Sequence, residues 1–379
     1  MSSILRLARK EVRNLKACAH GGEVWKVMNT LSLRMGEILD FSANLNPLGP
    51  PKSVFESIKN NLAYIYYYPD SDCVLLKDAI ANYLGGINRS NVVLGNGSTE
   101  LIYLFAEVFL ERDDLALIPV PTFGEYEKAV RKIGGRPKFI KYIKIGHDFR
   151  INLATLLHEM KEAKIVFLCN PNNPTGTLIP RRDLLNIVKK AFEKDTLVFL
   201  DESFIEFVDK KERFSLVSEV ENYPNLFILR SFSKIFGLAG LRIGYGVAHS
   251  DIIDLLSRVK TPWNVNCLAQ VAAITALNDD EYLRRTLKLI KSERAFLLHE
   301  LKKIDGFKVF TTHANFILVD IRDSGFTATE LKERLLKYGI LIRDCSSFRG
   351  LDKYYIRIAV RKRWENERLI KTLKKVLNE

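Results

Sequence analysis

Between about residues 74 and 262, short apolar runs alternate with stretches whose apolar positions recur at helical spacing. The runs at 91–94, 115–120, 165–169, 196–200 and 226–229 predict strands. The segments 100–110, 124–133 and 182–194 between them predict helices. Strand and helix in alternation predict an α/β domain on a largely parallel sheet, with ligands beyond the carboxyl ends of its strands. The texture changes near Pro262. A long helical segment, 280–304, precedes strand candidates at 307–310, 316–319, 340–343 and 355–360 and helices at 327–338 and 365–377. This predicts a second, smaller α+β domain. No repeat, low-complexity tract or Pro/Gly/Ser linker separates the parts, so close packing of the two is expected.

Composition narrows the field without choosing a function. A chain of 379 residues with 47% apolar and 27% charged residues has ample interior for a core, which excludes a disordered chain. At roughly 150 residues per domain it holds two or three domains. The 58 Lys+Arg against 45 Asp+Glu give a formal charge of +13, which points to anionic partners, polymeric or small. No apolar run reaches the roughly 18–20 residues that span a bilayer, so no integral membrane protein is expected. The first twenty residues carry six basic residues, counting His20, with Glu11 and scattered apolar ones. They lack the continuous apolar stretch of a signal peptide and predict a short amphipathic helix rather than a transit peptide. The five cysteines, Cys18, Cys73, Cys169, Cys267 and Cys345, are widely spaced and form no C-x-x-C pair. Neither a zinc site nor a disulfide framework is expected, and a reducing, cytoplasmic location fits best.

Candidate chemistry concentrates at the predicted strand ends. In residues 230–245, RSFSKIFGLAGLRIGY, Lys234 follows a strand among small, hydroxyl and glycine residues, eight positions before Arg242. A lysine so placed can attach an aldehyde cofactor through its amine. An ordinary lysine has a pKa of about 10.4, so the site must favour the neutral form. Ser231, Ser233 and Arg242 offer hydroxyl and guanidinium donors suited to a phosphate. Upstream, LCNPNNPTG (168–176) puts Asn173 at one strand's carboxyl end, and LDESFIEF (200–207) puts Asp201 at the next. Asp201 suits a protonated ring nitrogen, and Asn173 a ring hydroxyl. The segment LGNGSTE (94–100) joins a strand to a helix, and its small residues would let backbone N–H groups at a helix N-terminus receive a phosphate. A dinucleotide G-x-G-x-x-G would need glycine where Glu100 stands, and no Walker lysine motif is present. The phosphate of one small cofactor fits better. His147, His158, His249, His299 and His313 show no ligand spacing, so no metal site is expected.

Together these residues resemble the fold-type-I pyridoxal-phosphate enzymes, in the branch of histidinol-phosphate aminotransferase. Within it, HGG (20–22), DFSANLNPLGPP (40–51), YPD (68–70), PWNVN (262–266) and IRDCS (342–346) are similar to the L-threonine-O-3-phosphate decarboxylases. So is the stretch from GLD (350–352) through YYIRIAVR (354–361). The resemblance runs from about His20 onward and implies a large pyridoxal-phosphate-binding domain at 51–262 with a mainly parallel central sheet. A small α+β domain at 263–379 would follow, with an N-terminal arm, 1–50, packed against it. Carried to this chain, the resemblance implies that Lys234 holds the cofactor and Asp201 its pyridinium nitrogen. Asn173 would contact the ring hydroxyl and the substrate, and Phe123, in PTFGEY, would stack on the ring. Gly97, Ser98, Ser231, Ser233 and Arg242 would bind the cofactor phosphate, with Tyr68 contributed by the neighbouring subunit of a homodimer. Arg343 and Arg357 would bind the substrate's anions, with His20, Ser42 and Asn44 beside them.

The implied reaction is decarboxylation of L-threonine O-3-phosphate to (R)-1-amino-2-propanol O-2-phosphate, a building block of the cobalamin side chain. Phe204 leans the same way. Most related aminotransferases carry a tyrosine three residues after the aspartate; phenylalanine, which the decarboxylases tend to have, cannot donate a hydrogen bond there. Two alternatives stay open. An aminotransferase acting on histidinol phosphate or a similar amino acid would share every cofactor residue. A cofactor-binding regulator that contacts nucleic acid is disfavoured, because no room precedes His20 for an added DNA-binding domain. With a small anionic amino-acid phosphate as partner, the +13 charge calls for neither nucleic acid nor a membrane surface.

Overall fold

The computed structural model describes residues 3–31, 34 and 36–379. Seven strands form its larger sheet: β1 (Val92–Gly95), β2 (Leu115–Val120), β3 (Arg136–Lys141), β4 (Ile165–Cys169), β5 (Leu197–Asp201), β6 (Leu226–Ser231) and β7 (Gly244–Ala248). Their spatial order is β1-β7-β6-β5-β4-β2-β3. The pairs from β6 through β3 are parallel, whereas β7 runs antiparallel to both β1 and β6. That reversal matters for the site: β7 begins at the edge where the other strands end, so the residues just before it, Arg242 included, arrive at the same rim.

The hydrophobic pattern located five of these strands. It missed β3 and β7 for different reasons. β3 (RPKFIK) carries a proline and three cations and is the sheet's edge strand, where a missing N–H is tolerated. β7 (GYGVA) is fully buried but has two glycines in five residues, which hides it from a propensity reading. Gly246 is needed there, because a Cβ at that position would stand 2.2 Å from the Phe227 ring.

Side-chain alternation explains how the sheet is held. Phe167 (β4), Phe199 (β5) and Phe227 (β6) are register partners on one face. Their neighbouring rings lie 5.2 and 5.0 Å apart, and Phe105 of helix α1 (Ser98–Phe109) packs edge-on against Phe199 at 5.1 Å. Each such ring withdraws about 1.5–3 kcal/mol of apolar surface from water. The intervening residues Leu168, Leu200 and Ile228 point into the core on the opposite face.

A second sheet is antiparallel, with β8 (Lys308–Val309), β9 (Phe316–Asp320), β10 (Arg343–Asp344) and β11 (Tyr355–Ala359) in the order β8-β9-β11-β10. The single strand expected at 340–343 is split. Ile340–Leu341 pairs in parallel with Leu39–Asp40 near the N-terminus, and the chain then turns to β11. The helix expected at 280–304 spans Asp280–Leu301, capped by the Asp279 side chain accepting from the Tyr282 N–H. The helix Cys267–Leu277 packs against helices Lys52–Asn60 and Val74–Leu84.

The N-terminal segment differs from expectation. In place of one amphipathic helix there are two short turns, Ser3–Leu7 and Lys10–Arg13, followed by irregular chain to residue 23; residues 1 and 2 lie outside the described part. Too few apolar positions repeat to bury a continuous face, and the segment is anchored by polar contacts. Arg9 donates to the Lys132 carbonyl at 2.9 Å, and Glu11 pairs with Arg112. Among the described residues no helix is long and apolar enough to cross a membrane.

Candidate active site

The carboxyl ends of β2, β4, β5 and β6 open onto a cavity of ≈ 920 Å³ whose far wall belongs to the second sheet. It is lined by His20, Ser42, Asn44, Ser98, Phe123, Asn173, Asp201, Ser231, Ser233, Lys234, Arg242, Arg343 and Arg357, all singled out from the sequence. Two others stand apart. Gly97 supports the cavity through its backbone. Tyr68 is 79% exposed and stacks on Trp263 at 4.5 Å, outside the cavity.

Lys234 sits on the loop after β6, with Asp201 at the last position of β5 and Asn173 on the loop after β4. Enclosure, and then the guanidinium charges of Arg357 and Arg242, push the Lys234 amine down to about 8 against the pull of Asp201. Roughly a tenth of it is therefore neutral at pH 7, against under about a thousandth for an ordinary lysine. Its Nζ lies 5.7 Å from the centroid of the Phe204 ring. The Asp201 carboxylate accepts from the Tyr126 hydroxyl at 2.6 Å and the Ser203 N–H at 2.8 Å. Burial still outweighs those bonds and raises the carboxyl above the usual carboxylate range. A cation placed against it would relieve this.

The opposite end of the cavity is built for an anion. Helix α1 begins at Ser98, so its first N–H groups have no intrahelical partners. Gly97 adopts φ +83, and a Cβ there would stand 2.2 Å from Arg242 Nη2. Glycine lets the guanidinium close over the helix start. The turn is held from behind by Glu100, which accepts from the Asn96 N–H and the Asn264 side chain, both at 2.6 Å.

The second sheet supplies two arginines. Arg343 and Arg357 are direct cross-strand partners on β10 and β11, and both are buried. Arg357 donates from Nη2 to the Ser42 carbonyl at 2.8 Å and from Nη1 to Asn173 Oδ1. Among the described residues its buried Nε has no partner, and neither does the buried Asn44 Oδ1. Arg343 donates to the carbonyls of Ala19 (2.7 Å) and His20 (3.2 Å) and to Ser347 Oγ (2.9 Å). All these acceptors are neutral. Burial and the like charge of Arg343 push the Arg357 guanidinium down to about 10 against the pull of Asp40, still protonated at neutral pH. Like charges directly opposite on a sheet are destabilising unless anions lie between or beside them.

Three features of the site went unread in the sequence. Tyr126 and Glu125 belong to the PTFGEY motif, which was read only for Phe123. Arg230, at the head of the lysine motif, forms buried ion pairs with Glu202 at 2.7 Å and Glu206 at 2.5 Å. Residues 14–19 also line the cavity, although their composition carries no signal for it.

Residues 36–373 match the class I and II aminotransferase family. The chain belongs to that family. Similar relatives include a provisionally named threonine-phosphate decarboxylase of Caldanaerobacter subterraneus subsp. tengcongensis, 39% identical over 98% of this chain and 97% of that protein. The histidinol-phosphate aminotransferase of Methanothermobacter thermautotrophicus is 35% identical over 96% of each chain. Among solved structures, the histidinol-phosphate aminotransferase of Clostridium acetobutylicum aligns with a TM-score of 0.83 and 36% identity, over 90% of this chain and 99% of that one. The protein is thus an enzyme of the pyridoxal-phosphate-dependent aminotransferase superfamily with the fold-type-I architecture. Its residues fit the cofactor. A buried carboxylate with no ion pair among the described residues, a depressed lysine and a glycine-cleared helix start match, in turn, a pyridinium nitrogen, an aldehyde and a phosphate.

Proposed function

We propose that this aminotransferase-family enzyme is a carboxy-lyase that decarboxylates L-threonine O-3-phosphate to (R)-1-amino-2-propanol O-2-phosphate, as in the assembly of the cobalamin side chain. The observation that carries the reading is the cross-strand pair Arg343–Arg357, two buried guanidiniums that have only neutral acceptors. Threonine phosphate brings a carboxylate and a phosphate on one small molecule. Histidinol phosphate brings a phosphate alone.

Pyridoxal phosphate, when bound, supplies an electron sink for whichever bond at the substrate's Cα stands perpendicular to its ring. The protein decides which bond that is. Arg357, which also grips Asn173, takes the anion nearer Lys234 and holds the carboxylate out of the ring plane. Arg343, farther out beside His20 and Ser347, takes the phosphate. Asp201 would keep a proton on the ring nitrogen, and Phe123 and Phe204 would bound the ring without donating to it. Lys234 Nζ would deliver a proton to the Cα from which carbon dioxide has departed. The exposed Tyr68, with Trp263 beneath it, belongs in this reading to the interface of a cytoplasmic homodimer, reaching the partner's cofactor phosphate.

A second reading, transamination, draws support from the same pair. A dicarboxylate amino donor would also satisfy both arginines, and a cavity of ≈ 920 Å³ can admit an imidazole. Parallel assays separate the two. The purified enzyme is given threonine phosphate alone, or histidinol phosphate with 2-oxoglutarate. Carbon dioxide and aminopropanol phosphate in the first tube support the lyase; turnover only in the second, with glutamate formed, sinks it.

A further inference from the structure

The buried carboxylate of Glu125 takes no part in the chemistry above. It lies in the first turn of helix α2 (Glu125–Ile133), two residues after Phe123, and is almost wholly withdrawn from solvent. Its Oε1 is 2.8 Å from His20 Nε2, its Oε2 accepts from the Tyr103 hydroxyl, and the Lys128 ammonium stands 3.9 Å away. The His20 ring is tilted against Phe123 with centroids 5.8 Å apart, while the His20 carbonyl accepts from Arg343. One loop residue is therefore held from three sides, by α2, by the ring of Phe123 and by β10.

We propose that Glu125 is a positioning residue that fixes His20 as a hydrogen-bond donor to the substrate's outer anion, beside Arg343. This rests on the reading of the substrate as phosphate-bearing. With Nε2–H given to Glu125, the remaining nitrogen, Nδ1, is the one available to the cavity that His20 lines. Nδ1 donates to an anion only when the ring carries both protons; with one, it turns a lone pair toward the anion. A full negative charge against Nε2 offsets that of the doubly protonated ring.

Glu125 is equipped for this. Burial opposes its charge, but hydrogen bonds from His20, Tyr103 and Cys18 and the nearby Lys128 hold the carboxyl down at about 2. It stays an anion across the working range. The groups facing this pair are Cys18 on the N-terminal segment, Tyr103 on α1, Glu127 and Lys128 on α2, and Arg343 on β10. Cys18 is pushed up to about 12 by burial and by Glu125, and burial also raises Tyr103, so neither titrates near neutrality.

The test compares KM and kcat for the wild-type holoenzyme, Glu125→Gln, Glu125→Asp and His20→Gln, using whichever phosphate-bearing amino substrate the wild type turns over. If the lyase reading fails and histidinol phosphate is that substrate, the comparison still stands. Glu125→Gln is expected to raise KM about tenfold, the value of one charge-assisted hydrogen bond, with kcat and the absorbance of the lysine-bound cofactor within about twofold. Glu125→Asp should restore the wild-type KM. His20→Gln, altering a half-exposed loop residue, keeps the test alive should Glu125→Gln not fold; it should raise KM to a similar extent with kcat likewise held. A Glu125→Gln or a His20→Gln enzyme with the wild-type KM overturns the proposal.

Discussion

Arg230, on β6 of the larger sheet, and Arg357, on β11 of the second, are both buried, yet their surroundings are opposite. Arg230 faces inward, between Glu202 and Glu206, with Ser215 completing the network. Burial works against its charge, but the two carboxylates override it and raise the guanidinium above its ordinary value. Arg357 faces the cavity, with a carbonyl and an amide oxygen as acceptors and a second guanidinium beside it; Asp40 favours its charge, yet burial leaves it pushed down to about 10. A buried charge that the chain itself has compensated is part of the fold. One left uncompensated is a binding site for whatever brings the missing charge.

The largest effect comes from the lysine that Arg357 and Arg242 act on. Lys234→Ala should abolish turnover and remove the absorbance band of the lysine-bound cofactor; a variant that keeps the band unchanged means that the anchor is another residue. Next, methionine at each arginine should separate fold from function. Arg230→Met leaves two buried carboxylates unpaired and should cost about 3–5 kcal/mol in urea-induced unfolding. Arg357→Met should leave stability within about 1–2 kcal/mol while lowering kcat/KM by roughly 10²–10³-fold. If the two variants lose stability alike, the comparison breaks.

A smaller effect sharpens it. Because the Lys234 amine is held at about 8, attachment of added pyridoxal phosphate to apoenzyme should speed up about tenfold between pH 7 and pH 9 and then level off. Arg357 contributes to that depression, so in Arg357→Met the rise should move to higher pH. In a folded Arg230 variant such as Arg230→Lys it should not move. Stopped-flow absorbance reads both. Smallest is Phe204→Tyr, which adds one hydroxyl beside Lys234 and should change kcat by less than about fivefold.

The same contrast explains what the sequence could reveal. The inner parallel strands β2, β4, β5 and β6 were legible because each is a largely apolar run, and residues facing the cavity close or follow those runs, as Asp201 ends β5 and Lys234 follows β6. β7 was illegible because its burial comes from neighbours that need glycine, not from its own side chains. Arg230 was invisible because its partners Glu202 and Glu206 are more than twenty residues away and join it only when β5 and β6 pair. Glu125 hid for a similar reason: its partner His20 lies 105 residues earlier, in a segment with no regular periodicity. Local patterns mark where a ligand-facing residue sits; the pairing of distant charges needs the fold.

In the proposed function the paired arginines receive both anions of threonine phosphate and expose its carboxylate to loss. Carboxyl-labelled L-threonine phosphate, incubated with holoenzyme and no oxo acid, tests it directly. The label should leave as carbon dioxide, one equivalent for each aminopropanol phosphate formed. No reaction until a 2-oxo acid is added, with the label retained in an oxo product, would contradict it.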